Sequence, residues 1–340
     1  MLRVPYNELY AALHRAMQRL GLRGDRADDC ARLFAETTRD GVYTHGLNRF
    51  PRFAESVTNG SVDVLAEPTR VAGLGAMERW DGHRGIGNLN ARDCMQRAIV
   101  LAKEHGIGGV ALANTNHWMR GGSYGWQAAE QGLFAICWTN TLANLPAWGA
   151  ATPTLGNNPL VIAVPRGGGN VVLDMAMSQF SYGTLEAYSK RGEPLPVDGG
   201  FDSAGNLTKD AAAIEASKRA LPIGYWKGSG LSLVLDMLAA MLSGGLATHQ
   251  IPPDPFRETG LSQIFLAVDP SNLIDAENMA EIVEGILTSL KEATPADAAK
   301  PVRYPGEQTL QLREENLRLG VPVDPEIWRQ INVGDPPHNS

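Results

Sequence analysis

The sequence predicts a mixed α+β fold, and three observations carry that prediction. Apolar runs of strand length outnumber strand-helix-strand crossovers, both ends of the chain read as helices, and the glycine fingerprint of a doubly wound nucleotide-binding sheet is missing. At 340 residues the chain exceeds the roughly 250 to 300 residues at which single cores stop growing, so two domains are expected.

Asn7 is placed to cap a first helix in which Leu9, Leu13, Met17 and Leu20 recur at a period of about 3.6 residues, with Gly21 and Gly24 ending it. Asp25 is the candidate cap of a second helix, with Ala27, Cys30, Ala31 and Phe34 on its buried face. A short helix from Pro51 to about Gly60 precedes β character in Val71 to Leu74. Gly85 to Asn88 opens a long amphipathic helix, its stripe formed by Ala91, Cys94, Met95, Ala98, Ile99 and Ala102 and its stop by Gly106.

Val110 to Ala113 reads as a buried strand that delivers Asn114, Asn116 and His117 at its end. A short helix through Ala128 and Ala129 leads to the strand Leu133 to Trp138, a loop from Pro146 to Pro153, and the strands Leu160 to Val164 and Val171 to Leu173. Residues 182 to 212 are rich in Pro and Gly and read as an ordered excursion without long elements. Leu231 to Leu242 is apolar nearly all round and is expected at the centre of the molecule. The strand Ile264 to Val268, an amphipathic helix through Met279 to Leu290, a Pro305-Gly306 turn and a helix through Leu312 to Leu319 complete the chain, followed by a short tail.

The formal net charge of −7 and the lack of any Lys/Arg block argue against nucleic acid or an anionic membrane surface as a partner. Three cysteines, far apart and each in an apolar pattern, fit buried free thiols in a reducing compartment. No apolar run reaches the roughly 20 residues of a membrane span, and the first residues carry no apolar signal core, so a cytoplasmic location is expected.

The densest chemistry lies between Gly41 and Arg52, where an imidazole, a hydroxyl and two guanidinium groups fall within twelve residues. His45, beside Thr44, handles a proton near its ordinary pKa of about 6.5, and Arg49 offers a fork for a carboxylate. Together they point to a small acidic substrate, although a histidine at the end of a helix also serves as a plain cap. Asn116-His117 and Asp174 stand at other predicted strand ends. Gly85-x-Gly87-x-x-Asn90 lacks the third glycine of a Rossmann loop, and Gly106-x-Gly108-Gly109 follows a helix instead of preceding one. The histidines are scattered without ligand spacing, so no metal site is expected.

Several segments together resemble the type-2 malate/L-lactate dehydrogenase family over nearly the whole length. They are Thr38 to Gly46, with its Gly41-Val42 and His45-Gly46 pairs; Asn116 to Trp126; Gly156-x-Asn158-Pro159; Leu173 to Ser178; and Tyr225 to Gly228. The family usually has Thr where this chain has Asn157. The resemblance implies an NAD(P)H-dependent reductase of 2-keto acids, working as a homodimer on a small acid such as a sugar acid. It implies a non-Rossmann, largely antiparallel sheet domain for the cofactor, here placed at 76–274, and a mostly helical domain from 1–75 and 275–340 that carries the His45 turn.

By the same resemblance His45 is the proton donor, with Thr44, Arg49 and His117 as candidate substrate-binding groups. Asn170, Val171, Val172, Leu173, Asp174, Met175 and Ala176, then Trp226 and Lys227, then Gly306, Glu307 and Gln308 would hold the cofactor. NADH is the expected form, with NADPH left open. A cyclic imine-2-carboxylate or a ureidoglycolate-type substrate stands as the alternative within the family, and a non-catalytic sugar-acid binding protein as the alternative outside it.

Overall fold

The computed structural model describes residues 2–333, so the expected tail beyond them lies outside the described residues. β1 (Leu2–Val4) leads into α1 (Tyr6–Arg19) and α2 (Gly24–Arg39), and two single 3-10 turns, Tyr43–His45 and Leu47–Arg49, carry the chain into α3 (Phe50–Thr58). β2 (Thr69–Leu74), β3 (Met77–Asp81), α4 (Gly87–His105), β4 (Ile107–Asn116), α5 (Gly122–Ala129) and β5 (Phe134–Thr139) follow. The hairpin of β6 (Ala143–Pro146) and β7 (Pro153–Gly156) precedes β8 (Leu160–Val164) and β9 (Val171–Met175). Next come α6 (Tyr182–Arg191), the short pair β10 (Gly200–Phe201) and β11 (Leu207–Thr208), α7 (Ala211–Ser217) and α8 (Trp226–Ser243). β12 (Thr259–Val268), α9 (Ala276–Glu292), α10 (Glu307–Leu319), β13 (Val321–Val323) and α11 (Pro325–Ile331) end the described chain.

The main sheet has seven strands in the order β2-β3-β4-β12-β5-β8-β9. Only β3 and β4 run parallel in it, and every other neighbouring pair is antiparallel. This is the mixed α+β architecture expected from the sequence, with β12 inserted between two strands made more than a hundred residues earlier. Alternation along the strands sorts side chains to two faces. Val110, Leu112, Cys137, Val161 and Phe265 bury against α4 and α5, whereas Ala111, Trp138 and Ile264 bury toward α8.

The two ends of the chain meet. β1 pairs antiparallel with β13, α1 packs on α11, and Leu9, Leu13, Phe34, Phe50 and Phe53 share one core with Val321, Val323 and Ile331. Ile86, Leu89 and Met119 enter the same core, which fixes the helical part against the start of α4 and the end of β4. β2 falls within the first 75 residues yet hydrogen-bonds to β3 as the edge of the main sheet.

Local readings differ from the structure at five places. Asn7 and Asp25 lie inside the first turns of α1 and α2, where Pro5 and Arg23 take the N-cap positions without a capping side chain. The 182–212 stretch contains the ten-residue helix α6, capped by Ser181, whose hydroxyl accepts the Thr184 N–H. Its Gly192 ends that helix in a left-handed conformation, so the glycine read as a loop signal is a helix stop. The loop from Pro146 to Pro153 is flanked by the β6–β7 hairpin, and β13 and α11 follow Gly320 where a tail was expected.

The fifth difference concerns α8. Leu235 and Ala239 pack on the sheet, but Val234, Met237, Leu238, Met241 and Leu242 are exposed, Met241 at 70%. A helix apolar nearly all round therefore lies on the surface of the single chain, with one side covered and one open.

Candidate active site

α2 ends at Arg39, and the next residues turn sharply enough to bring His45 back toward the sheet. Two glycines permit this. Gly41 has φ +83°, and a Cβ there would come 2.5 Å from the Leu312 side chain. The Leu47 N–H donates to the Thr38 hydroxyl at 2.8 Å, which ties the far side of the turn to α2. His45 is thus held on both sides, with the Thr44 hydroxyl 3.0 Å from its Nδ1.

His117 arrives from the end of β4. The Asn116 side-chain amide donates to the carbonyls of Arg84 at 2.7 Å and Gly85 at 2.9 Å, which pins the strand end to the loop before α4. The Met119 N–H donates to His117 Nδ1 at 3.1 Å, so the neutral ring carries its proton on Nε2. The imidazoles of His45 and His117 lie 5.9 Å apart between centroids and are nearly parallel, at 18°. Two strand- and helix-end histidines separated by 72 positions thereby face one another.

One cleft is lined by His117, Asn116, Gly87, Met119, Arg49, Arg52 and Glu258. Arg49 lies 3.8 Å and Arg52 3.4 Å from the Glu258 carboxylate. Burial and the neighbouring Arg52 push the Arg49 guanidinium down to about 10, still far above neutrality. Two cations facing one anion leave the cleft with one net positive charge, which suits a single carboxylate. The same environment acts on the histidines. Burial, then the charges of Arg49 and Arg120, lower the His45 pKa to about 4, and burial, Arg49, His45 and Arg52 hold His117 well below its ordinary value.

Behind the turn lies a buried ion cluster. Asp40, 2% exposed in its side chain, accepts hydrogen bonds from Arg313 at 2.9 and 2.7 Å, from Arg120 at 2.7 Å and from Arg39 at 2.9 Å. Burial alone would raise the Asp40 pKa, but the Arg313 hydrogen bonds and the charges of Arg120 and Arg39 hold it at about 2. The cluster joins α2, the loop after β4 and α10, so it fixes the His45 turn against both other parts of the chain.

Of the three segments expected to hold a cofactor, β9 and the Gly306 turn are in contact, and the approach to α8 meets the chain just past the other end of β9. The Val172 N–H donates to the Pro305 carbonyl at 3.0 Å, and the Ile223 N–H to the Met177 carbonyl at 2.9 Å, so β9 is flanked by the Gly306 turn and by the approach to α8. A Cβ on Gly306, at φ +97°, would stand 3.1 Å from Val172 N and 3.2 Å from Asn170 O, so the turn lies close to the strand only as glycine. α10 begins at Glu307, whose N–H donates to the Tyr304 carbonyl at 3.2 Å and whose carboxylate pairs with Lys291 at 2.5 Å. Trp226 and Lys227, at the start of α8, are exposed. Asp174 has a structural partner: its carboxylate accepts the Gly122 N–H at 2.8 Å at the start of α5. Asn157, in the place of the usual Thr, accepts the Ser178 N–H at 2.9 Å and so steadies the chain leaving β9.

Sequence reasoning missed Glu258, Asp40, Arg120 and Arg313 as site-shaping groups, and gave Arg52 no role. Glu258 precedes β12 in a Pro-rich loop some 200 residues after Arg49, and no local pattern connects the two. Among the described residues no group of three or more His, Cys, Asp or Glu side chains is arranged to hold a metal ion.

Residues 4–332 match the sequence profile of the malate/L-lactate dehydrogenase family. The chain belongs to this family. It is 49% identical to 2,3-diketo-L-gulonate reductases of Shigella boydii and Escherichia coli over 332 residues, covering 98% of this chain and 100% of each relative. Solved dehydrogenases of the same fold include a putative malate/lactate dehydrogenase from E. coli, at 26% identity and a TM-score of 0.91 over 99% of this chain and 96% of that one. A Δ1-piperideine-2-carboxylate reductase from Pseudomonas syringae has 27% identity and a TM-score of 0.87 over 98% and 99%. As a malate/L-lactate dehydrogenase family member the chain is an oxidoreductase acting on a keto or CH–OH group of a small acid, and membership implies a nicotinamide cofactor. The Gly306 turn lies directly against β9, and the paired Glu307 carboxylate and Lys291 stand at the start of α10 beside it.

Proposed function

We propose that this dehydrogenase reduces 2,3-diketo-L-gulonate to 3-keto-L-gulonate with NADH, His45 delivering the proton to the C2 carbonyl oxygen. The observation that carries the reading is the facing pair of His45 and His117 beside a cleft with one net positive charge. The identity of the substrate is supported by the 49% identical relatives. When bound against Asn170 to Ala176, Trp226-Lys227 and Gly306 to Gln308, the reduced nicotinamide supplies a hydride. In this reading the 76–274 unit holds the cofactor together with Gly306 to Gln308 of the other unit, and the unit from 1–75 and 275–340 presents His45 to the substrate.

Arg49 orients the substrate by its carboxylate. His117, with its proton on Nε2, donates a hydrogen bond to the substrate, and His45 releases its proton as charge develops on the carbonyl oxygen. Loss of NADH absorbance on adding the diketo acid is the expected result. Turnover of a cyclic imine-2-carboxylate instead would favour the reaction of the P. syringae relative, and binding without turnover of any 2-keto acid would remove the reductase reading. The same assay with NADPH decides the cofactor.

Arg49→Lys is expected to raise KM for the keto acid more than it lowers kcat, because lysine keeps the charge but loses the fork. A fall in kcat alone would place Arg49 at the transition state instead.

The open side of α8 continues onto the sheet at Ile136 and Ile162, which are cross-strand neighbours and both exposed. A second copy of the chain is the occupant that fits this apolar surface, and a homodimer is the expected species in sedimentation. A monomer at micromolar concentration would overturn that. The three buried free cysteines, with burial pushing the Cys30 thiol up to about 12, support a reducing, cytoplasmic setting.

A further inference from the structure

We infer that Glu258 sets the charge of the substrate, holding the cleft to 2-keto acids that carry one negative charge. The inference rests on the reading of the Arg49 cleft as the substrate site. Glu258 is nearly fully buried, with 6% of its side chain exposed, and is fixed from two directions. One carboxylate oxygen accepts the Leu142 N–H at 3.2 Å, and the other faces Arg52 at 3.4 Å and Arg49 at 3.8 Å. Without it, no carboxylate among the described residues of the cleft would offset Arg49 and Arg52, the latter still bonded to the Pro255 carbonyl at 2.7 Å, and that charge suits a dicarboxylate. With it, one substrate carboxylate neutralises the cleft, and a second would be brought against a buried carboxylate of the same sign.

Asn116, in the wall of the same cleft, is fixed by its neighbours. Its amide nitrogen is committed to the carbonyls of Arg84 and Gly85, and its Oδ1 is closed off from solvent, so the charge selection rests on Glu258.

The test compares kcat/KM for 2,3-diketo-L-gulonate, a monoanion, with that for oxaloacetate, a dianion. Glu258→Gln is expected to raise the dianion-to-monoanion ratio by at least about tenfold, the free-energy equivalent of about 1.4 kcal/mol, mainly through KM for the dianion. Glu258→Asp keeps the charge and is expected to keep the ratio near that of the wild type. A Gln variant in which both substrates lose equally, or in which the ratio does not move, would overturn the inference and leave Glu258 a structural partner of the arginines. NADH binding, which depends on β9 and the Gly306 turn, reports folding of each variant. Should the Gln variant not fold, inhibition of the wild type decides. Oxamate, with one charge, is expected to bind at least about tenfold more tightly than tartronate, with two, and equal or tighter binding of tartronate would overturn the inference. Failure of the underlying site assignment looks different: Arg49→Lys would then leave KM for both keto acids at the wild-type value.

Discussion

His45→Gln is expected to lower kcat for keto-acid reduction by about 10²- to 10⁴-fold, the range supplied by a positioned general acid. Glutamine keeps a polar side chain of similar reach but delivers no proton. NADH affinity should stay near wild type, because the proposed cofactor contacts come from β9, the start of α8 and the start of α10 and not from the His45 side chain. A variant that binds NADH normally and reduces the diketo acid at the wild-type rate would show that another group supplies the proton, and His117 is the neighbour in place to do so.

The pH dependence of the wild type carries the same argument further. Burial and the cations of Arg49 and Arg120 lower the His45 pKa to about 4, where an isolated histidine would sit near 6.5, so the ring is neutral at pH 7 in the free protein. Reduction needs the protonated ring, and kcat/KM, which reports the free enzyme, should therefore fall as pH rises through the acid range and be past its inflection at neutrality. A bound carboxylate cancels part of the positive field that lowers the pKa. The inflection in kcat, which reports the complex, should consequently lie at higher pH than that in kcat/KM. Coincident inflections would show that the substrate anion does not sit beside His45.

Particular residues explain what the sequence made legible and what it hid. The α4 stripe from Ala91 to Ala102 is fully buried as its spacing indicated, because a helix packed along one face leaves a periodic mark in the sequence. His45 and His117 were readable as polar groups between glycines or at a strand end, since backbone sterics are local. Their stacking was not readable because it joins the turn after α2 to the end of β4, and the Glu258 bridge to Arg49 and Arg52 was not because Glu258 leads into β12, which inserts between β4 and β5. The α8 pattern was legible as apolar but ambiguous in meaning: a helix apolar on all sides is equally consistent with the centre of one chain or with a surface awaiting another. Asn7 and Asp25 misled for the opposite reason. A capping residue type is common near helix starts, and Pro5 and Arg23 hold the actual cap positions because the preceding chain is already extended.

Asp40→Asn is expected to cost about 3 to 5 kcal/mol of stability at neutral pH, the usual penalty for removing one member of a buried ion cluster. The amide keeps the shape of the carboxylate but leaves Arg120, 6% exposed, beside Arg313 and Arg39 without the carboxylate that all three share. The sign of the pH dependence follows from the Asp40 pKa, which the arginines hold at about 2 against an ordinary 3.8. A depressed carboxylate contributes stability that is fully present above its unfolded pKa and is lost as pH falls through the folded value. The gap in urea unfolding between wild type and variant should therefore be largest at neutrality and narrow as pH falls from about 4 to about 2. Catalysis should move as well. Arg120 already lowers the His45 pKa, and without Asp40 to offset it that pull grows, so the kcat/KM inflection should shift to still lower pH. A variant as stable as the wild type at neutral pH would mean that Asp40 contributes no net stability, as some buried ion clusters do not. An unmoved inflection in that same variant would separate the cluster from the His45 turn and leave burial and Arg49 to set the histidine's pKa.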